Sequence, residues 1–279
     1  MTELAPPREL NNGSQMPSVG IGTWPHVGKE CRRIVAQALD IGYRLIDTSH
    51  KYGNEEEVGK AIRESGVPRG EIFVTSKFNK EDQSFDGVHR AYEESLRRTG
   101  LDYLDLFLIH WPVPWLDQYV AAWEGLVDLV QSGRVGSIGV SNFKPAHLQR
   151  IIEATGYVPA VNQIQLSVDI ARMEPRLFHN KLGILTEGWS PLGRGPELRE
   201  NPTVMRIAEE IGRSPAQILL RWHVQSNIVP VPRADTTQYL TENLNLFDFS
   251  LTDGHMADLL QLDRGESAAR DSDDPINGH

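Results

Sequence analysis

The chain is poor in cysteine, with Cys31 alone among 279 residues. That excludes an internal disulfide framework and suits a reducing compartment. It also lacks positive charge, with 28 Lys and Arg against 38 Asp and Glu and a formal net charge of −10. Nucleic acid and anionic membranes are therefore not expected partners, although a local basic pocket for one phosphate remains allowed. No apolar run approaches a membrane span, and even "LDYLDLFLIHWPV" carries two aspartates. The first twenty residues have no basic region leading into an apolar core, so no secretory signal is expected. No His, Asp and Glu cluster has ligand spacing, so no metal is expected. These absences describe a soluble cytoplasmic chain, expected to act as a monomer.

Two phosphate-loop signatures are missing as well. "GIGTWP" starts like Gly-x-Gly-x-x-Gly and fails at the third glycine, against a doubly wound nucleotide-binding sheet. In "GNEEEVGKA", Gly53 and Gly59 are one residue too far apart, and three glutamates would repel phosphate.

What is present is alternation. Short apolar runs fall at Val19–Gly22, Arg44–Thr48, Ile72–Lys77, Asp105–His110, Ser137–Ser141, Ala160–Leu166, Gly183–Ser190 and Ile228–Pro232. Amphipathic stretches such as "GKECRRIVAQALDIG", "SFDGVHRAYEESLRRTG", "LDQYVAAWEGLVDLVQSGR" and "NPTVMRIAEEIGRSPAQILLRWHVQS" lie between them. Eight strands alternating with helices predict parallel βαβ units, hence one eight-fold β/α barrel domain over 1–279. "RELNNGSQMP" has a turn signal between short runs and is expected to form a hairpin across the barrel's bottom.

Asp47, Lys77, His110 and Ser141 follow one another at 30, 33 and 31 residues. One βαβ step takes roughly 30 residues, so they occupy equivalent points at the carboxyl ends of successive strands, where barrel chemistry sits. Singly, each has a plain explanation: Asp47 a cap, Tyr52 a surface filler, Lys77 a solvated charge, His110 a satisfied core histidine. Together they interlock. A free tyrosine, with a pKa of about 10, is a poor acid near neutrality; a nearby cation stabilises its phenolate. A buried lysine needs a counter-charge, which Asp47 can supply. A histidine can orient a carbonyl oxygen.

"GYRLIDTSHKYGNEEEVGKAI", "IFVTSK", "LDLFLIHWP", "GRVGSIGVSNF", "VNQIQL", "GWSPLGRG" and "TENLNLFDFSLT" stand in the order of aldo-keto reductase signatures, from about residue 16 to 265. The chain resembles that family, and in character its bacterial 2,5-diketogluconate reductase-like members. The resemblance implies a nicotinamide cofactor bound without a doubly wound domain. It also implies a tetrad of Tyr52 as general acid, Lys77 as its pKa-lowering partner, Asp47 as the lysine's counter-ion and His110 as the carbonyl-orienting group.

The resemblance further places the nicotinamide carboxamide at Ser141, Asn142 and Gln163, with Trp189 stacking on the ring. The pyrophosphate strap maps onto Ser190, Leu192, Gly193 and Arg194. At the adenosine end, "VPRADTTQYLTEN" departs from the family's Ile-Pro-Lys-Ser pattern. Arg233 replaces the lysine, Ala234 the serine, and Tyr239 an arginine. Arg233 can still pair with a 2′-phosphate, Tyr239 can stack on adenine, and Glu242 and Asn243 remain for the adenine amino edge. NADPH is the expected cofactor, with NADH allowed because Asp235 sits close by. Trp24 and Trp111 are the expected aromatic walls of a small carbonyl pocket. The polar tail from 264 to 279 is expected either to fold over that pocket or to be disordered.

The sequence thus predicts an NADPH-dependent reductase of small aldehydes and ketones. One alternative is a non-catalytic nicotinamide-nucleotide sensor on the same barrel. A second rival, a hydrolase pairing Asp47 with Glu187, leaves Lys77 and Tyr52 without a task.

Overall fold

The computed structural model describes residues 5–277. A hairpin comes first, β1 (Pro7–Glu9) against β2 (Gln15–Pro17), with Arg8 opposite Met16. Its turn needs Gly13 at φ 84°, a left-handed conformation that glycine adopts without a Cβ penalty. Asn11 donates to the Pro159 carbonyl and Asn12 to the Gly136 carbonyl. Both acceptors precede barrel strands, so the hairpin lies across the bottom. Leu10 and Met16 enter an apolar floor with Leu45, Phe73, Leu106, Val161, Leu185 and Val229, forming the expected plug.

Eight parallel strands follow in chain order: β3 (Ile21–Gly22), β4 (Leu45–Asp47), β5 (Phe73–Phe78), β6 (Leu106–Ile109), β7 (Ser137–Ser141), β8 (Val161–Gln165), β9 (Leu185–Trp189) and β10 (Ile228–Val231). First and last meet through Gly20 N–H to Pro230 O and Gly22 N–H to Pro232 O, both 3.1 Å. A Cβ on Gly22 would stand 2.9 Å from Val231 O, so the seam closes because that position has no side chain. Each strand overlaps its predicted run, β7 matching it at both ends and β5 passing it by one residue, to Phe78. The other ends shift inward by at most two residues, because backbone pairing rather than composition sets them.

The helices are α1 (Gly28–Ile41), α2 (Glu55–Glu64), α3 (Phe85–Thr99), α4 (Tyr119–Gln131), α5 (Pro145–Thr155), α6 (Met173–Leu182), α7 (Pro202–Ile211), α8 (Pro215–Gln225), α9 (Thr237–Leu244) and α10 (Asp253–Leu260). In α1, Ile34, Val35, Ala38 and Leu39 are buried, and Gly42 at φ 121° ends the helix. Each large member of that face contributes about 1.5–3 kcal/mol by burial, so Ile34→Asp would detach the helix. The stretch 201–226, which reads as one helical pattern, is two helices. Gly212 at φ 70° ends α7, and Ser214 and Gln217 cap α8 reciprocally with Pro215 in its first turn. Gly59, part of the rejected phosphate-loop pattern, has a packing role. A Cβ there would lie 1.8 Å from Thr99 O, so α2 packs on the end of α3 only through a bare glycine. Among the described residues, no helix is long and apolar enough to cross a membrane.

Candidate active site

Three neighbouring strand ends bring the four predicted residues together. Asp47 closes β4, Lys77 lies on β5, and His110 follows β6 directly. Side chains alternate along a strand, so Phe73, Thr75 and Lys77 face the barrel interior while Val74 and Ser76 face the helices. Tyr52 ends a single 3₁₀ turn, His50–Tyr52. The Ser49 hydroxyl caps that turn by accepting from Lys51 N–H, and Gly53 at φ 65° terminates it. Asn54 then ties the loop down. It accepts from the Thr48 hydroxyl and donates to Thr23 and to the His26 carbonyl. The Tyr52 loop and the loop carrying Trp24 are thereby held as one unit.

Lys77 is fully buried, and its ammonium has three hydrogens to place. Its Nζ lies 2.8 Å from Asp47 Oδ1 and 2.7 Å from Oδ2, 2.9 Å from Thr48 O and 3.2 Å from Tyr52 Oη. These partners take all three donors, so the tyrosine oxygen accepts from lysine and the phenolic hydrogen is left for the mouth. Burial pushes the ammonium down, but Asp47 and Tyr52 outweigh it and hold Lys77 above its ordinary value. Burial raises the Tyr52 phenol above its own ordinary value, with Lys77 pulling the opposite way. The phenol is thus protonated at neutral pH, and the lysine makes it a stronger acid than burial alone would leave it.

The His110 ring meets Tyr52 edge-on, with centroids 5.8 Å apart. Its Nδ1 lies 3.0 Å from Asn79 Oδ1 and 3.2 Å from the Ser49 hydroxyl. Burial, helped by Lys77 and Lys51, pushes the imidazole well below its usual value, so the ring is neutral. An accepting Asn79 oxygen puts the ring hydrogen on Nδ1. A half-turn of that amide makes Asn79 the donor to Nδ1 and moves the hydrogen to Nε2, while the Ser49 hydroxyl donates to the Lys77 carbonyl at 3.2 Å.

Sequence reasoning gave Glu187 only a rejected hydrolase role, and the structure brings it into this cluster. It is fully buried, and its Oε1 has no hydrogen-bond partner. Gln163 Nε2 donates at 2.8 Å both to Glu187 Oε2 and to Asp47 Oδ2. Burial, with the Asp47 charge adding to it, pushes the Glu187 carboxyl up to about 8. Asn79 and Asn54 were also missed. The one available signal was position, since Asn79 follows Lys77 by two residues on the same strand end.

The remaining candidates ring the same mouth. Ser141 donates to the Gln163 carbonyl, and Asn142, at φ 64°, donates to the His110 carbonyl. The Trp189 indole N–H donates to Asn142 Oδ1 at 2.9 Å, so Asn142 fixes the indole relative to the tetrad. Ser190 at φ 54° and Gly193 at φ 78° bracket a tight turn closed by Gly193 N–H to Ser190 O. Leu192 in that turn packs on the core, and Arg194 beyond it is exposed.

At the far end, Arg233 pairs with Asp235 at 3.2 Å, and His26 lies 3.3 Å from the same carboxylate. Ala234 is buried, while Tyr239 is half exposed at 49 %. Glu242 accepts from the Ser214 hydroxyl, and Asn243 is buried. Trp111 is buried, whereas Trp24 is 58 % exposed. The tail makes a turn at Glu266–Ala268 and donates from Arg270 N–H to Gln165 Oε1. It is anchored by Lys144 to Asp271 and Asp273 and by Arg172 to Glu266; its last two residues lie outside the described part.

Residues 18–264 match the Aldo/keto reductase family. The chain is similar to an aldo-keto reductase of Mycolicibacterium smegmatis, at 44 % identity over 96 % of this chain and 97 % of that one. It is also similar to the methylglyoxal reductase DkgA of Salmonella typhimurium, at 40 % identity over 95 % and 96 % of the two chains. Among solved structures, the Bombyx mori aldo-keto reductase in complex with NADP superposes with a TM-score of 0.87 at 33 % identity, over 95 % of this chain and 94 % of that one. A barrel with Lys77, Asp47, Tyr52 and His110 gathered at its mouth and a family match over most of its length lead to one assignment: the chain belongs to the aldo/keto reductase family and is an NAD(P)H-dependent oxidoreductase.

Proposed function

We propose that this protein reduces small aldehydes and ketones to alcohols with NADPH, with Tyr52 as the general acid. The observation that carries this is the saturation of Lys77 Nζ, which leaves the phenolic hydrogen of Tyr52 free to face a carbonyl oxygen. Asp47 keeps the lysine charged, and His110 orients the carbonyl oxygen through Nε2 in the tautomer reached when the Asn79 amide donates to Nδ1. Positioned proton donation of this kind is worth about 10²–10⁴-fold.

The residues around the mouth fit a nicotinamide nucleotide. Gln163 commits both its N–H groups inward, so its carbonyl is available to a carboxamide N–H. Ser141 and Asn142 flank it, and Trp189 is held at an angle fixed by Asn142. Bound there, the nucleotide supplies the hydride. The Ser190–Gly193 turn offers backbone N–H groups to a pyrophosphate with Arg194 beside it, and Arg233 reaches a 2′-phosphate. Tyr239 and Asn243 line the adenine end; Glu242 joins them once released from Ser214. The Bombyx mori neighbour in complex with NADP supports the phosphorylated cofactor, and the relative named methylglyoxal reductase supports a small carbonyl substrate. Trp24 and Trp111 wall that substrate, and the tail from 264 onward covers it. The chain acts as one barrel domain and a monomer, and its single free cysteine suits the reducing cytoplasm.

The test follows loss of nicotinamide absorbance with methylglyoxal, in wild type and Tyr52→Phe, with NADPH and with NADH. Turnover in the wild type and its loss in a variant that still binds NADPH is the expected result. Near-normal turnover by Tyr52→Phe would sink the acid assignment. Binding without turnover in both proteins would favour a nucleotide sensor.

A further inference from the structure

Gln163 occupies an unusual place, between two carboxyl groups. A glutamine amide has two N–H donors on one end and a carbonyl on the other. Both donors are engaged, at 2.8 Å to Asp47 Oδ2 and 2.8 Å to Glu187 Oε2. A reversed amide would give up both bonds and turn its oxygen to the lone pairs of the Asp47 carboxylate, so the observed orientation is the favoured one. Among the described residues nothing donates to Gln163 Oε1, although the residue as a whole is only 2 % exposed.

We propose that Glu187 is a positioning residue for the nicotinamide: by accepting the second N–H of Gln163 it turns the Gln163 carbonyl to the mouth, where the cofactor's carboxamide amino group donates to it. The inference rests on the cofactor placement argued above. Asp47 alone would leave one N–H of Gln163 without a partner, and the amide could reverse at the cost of a single bond. A glutamate suits the task because of its surroundings. Facing it are Asp47 from β4, Lys77 from β5, and the Tyr52 phenol beyond them; Gln163 on β8 does not titrate, and β10 places Val229 in register with it. The one cation in this group is already paired with Asp47. Burial and the Asp47 charge keep Glu187 neutral at pH 7, so it accepts through Oε2 and carries its hydrogen on Oε1, the oxygen without a partner. It therefore orients the amide without adding a second anion beside Lys77.

The experiment compares NADPH with 2′-phospho-ADP-ribose, which has the adenosine phosphates but no nicotinamide. Dissociation constants come from tryptophan quenching of wild type, Glu187→Leu and Glu187→Gln. The leucine variant removes the acceptor at similar volume and should weaken NADPH about tenfold, the worth of one well-placed hydrogen bond, with the fragment unchanged. The glutamine variant keeps an acceptor and should restore NADPH binding. Equal weakening of both ligands, or none of NADPH, overturns the proposal. If the leucine variant does not fold, the Gln163 side-chain amide signal in ¹⁵N spectra of cofactor-free wild type, assigned by its loss in Gln163→Glu, decides instead. Protection of both its hydrogens from solvent exchange is expected, and rapid exchange overturns the idea. A wild type that binds neither ligand overturns the cofactor reading, and this inference with it.

Discussion

Lys77 Nζ donates to Tyr52 Oη at 3.2 Å while its other two hydrogens are held by Asp47 and the Thr48 carbonyl. The lysine is therefore the fixed partner of the pair and the phenolic hydrogen the movable one. Replacing Lys77 by Met removes the cation from the phenol and leaves the buried Asp47 without its counter-charge, held by the Gln163 amide alone. Breaking a buried pair in this way costs about 3–5 kcal/mol of stability, so unfolding is measured first. In protein that remains folded, kcat for NADPH oxidation should drop by at least about 10²-fold. Asp47→Asn keeps a hydrogen-bond acceptor for Lys77 and should lose less. A larger loss in Asp47→Asn than in Lys77→Met would mean that the aspartate does more than hold the lysine.

Arg233 and Asp235 form a second pair, exposed at 51 % and 49 %. A 2′-phosphate bound as proposed would share Arg233 with that carboxylate. Arg233→Ala should weaken NADPH about tenfold or more, the range of a charged hydrogen bond, and hardly change NADH. Asp235→Asn should move the NADPH-to-NADH preference the other way. Fluorescence titration of both nucleotides checks this, and a parallel change for both nucleotides in Arg233→Ala would place the phosphate elsewhere.

Glu187 also makes a prediction about stability. Its carboxyl titrates at about 8 in the folded protein against 4.5 ordinarily, so between those values the folded state binds more protons than the unfolded state. Its contribution is full below pH 4.5 and is lost as pH rises through 8, at up to about 1.4 kcal/mol per pH unit. Glu187→Gln lacks this term. The stability of Glu187→Gln relative to wild type, from urea midpoints, should therefore rise between pH 5 and pH 8. A difference that stays flat across that range would show that Glu187 is ionised in the fold.

Much of the barrel was legible because each strand is a short, largely apolar run, and the steps from Asp47 to Lys77, His110 and Ser141 are each about thirty residues. Asp47, Lys77 and His110 stood out because each breaks such a run with a polar group at the same phase of the repeat. What stayed hidden depends on direction or on distant partners. "ILTEGW" reads alike whether Glu187 faces the barrel interior or the helices, and only the register of β9 with β8 pairs it with Gln163. Asn79 acquires meaning only when His110, 31 residues away, lies beside it. The break between α7 and α8 was written in Gly212, Ser214 and Pro215, yet the apolar periodicity runs across it. The path of the tail depends on Lys144 meeting Asp271 and Asp273 across more than a hundred residues, a relation that composition does not carry. Its polarity alone equally suited disorder.

The hairpin plug has a consequence for how the interior exchanges protons. Leu10 and Met16 lie over the lower end of the barrel, and they share one apolar cluster with Leu45, Leu106 and Leu185, which precede the Lys77, Asp47 and Glu187 level on their strands. Protons therefore enter and leave that cluster by the mouth. A dinucleotide seated over Gln163 and Trp189 would cover this route, and the charge state of the interior would be inherited from the free protein. The pH at which cofactor is bound, as distinct from the pH at which substrate is added, would then set the electrostatic field for the turnover that follows.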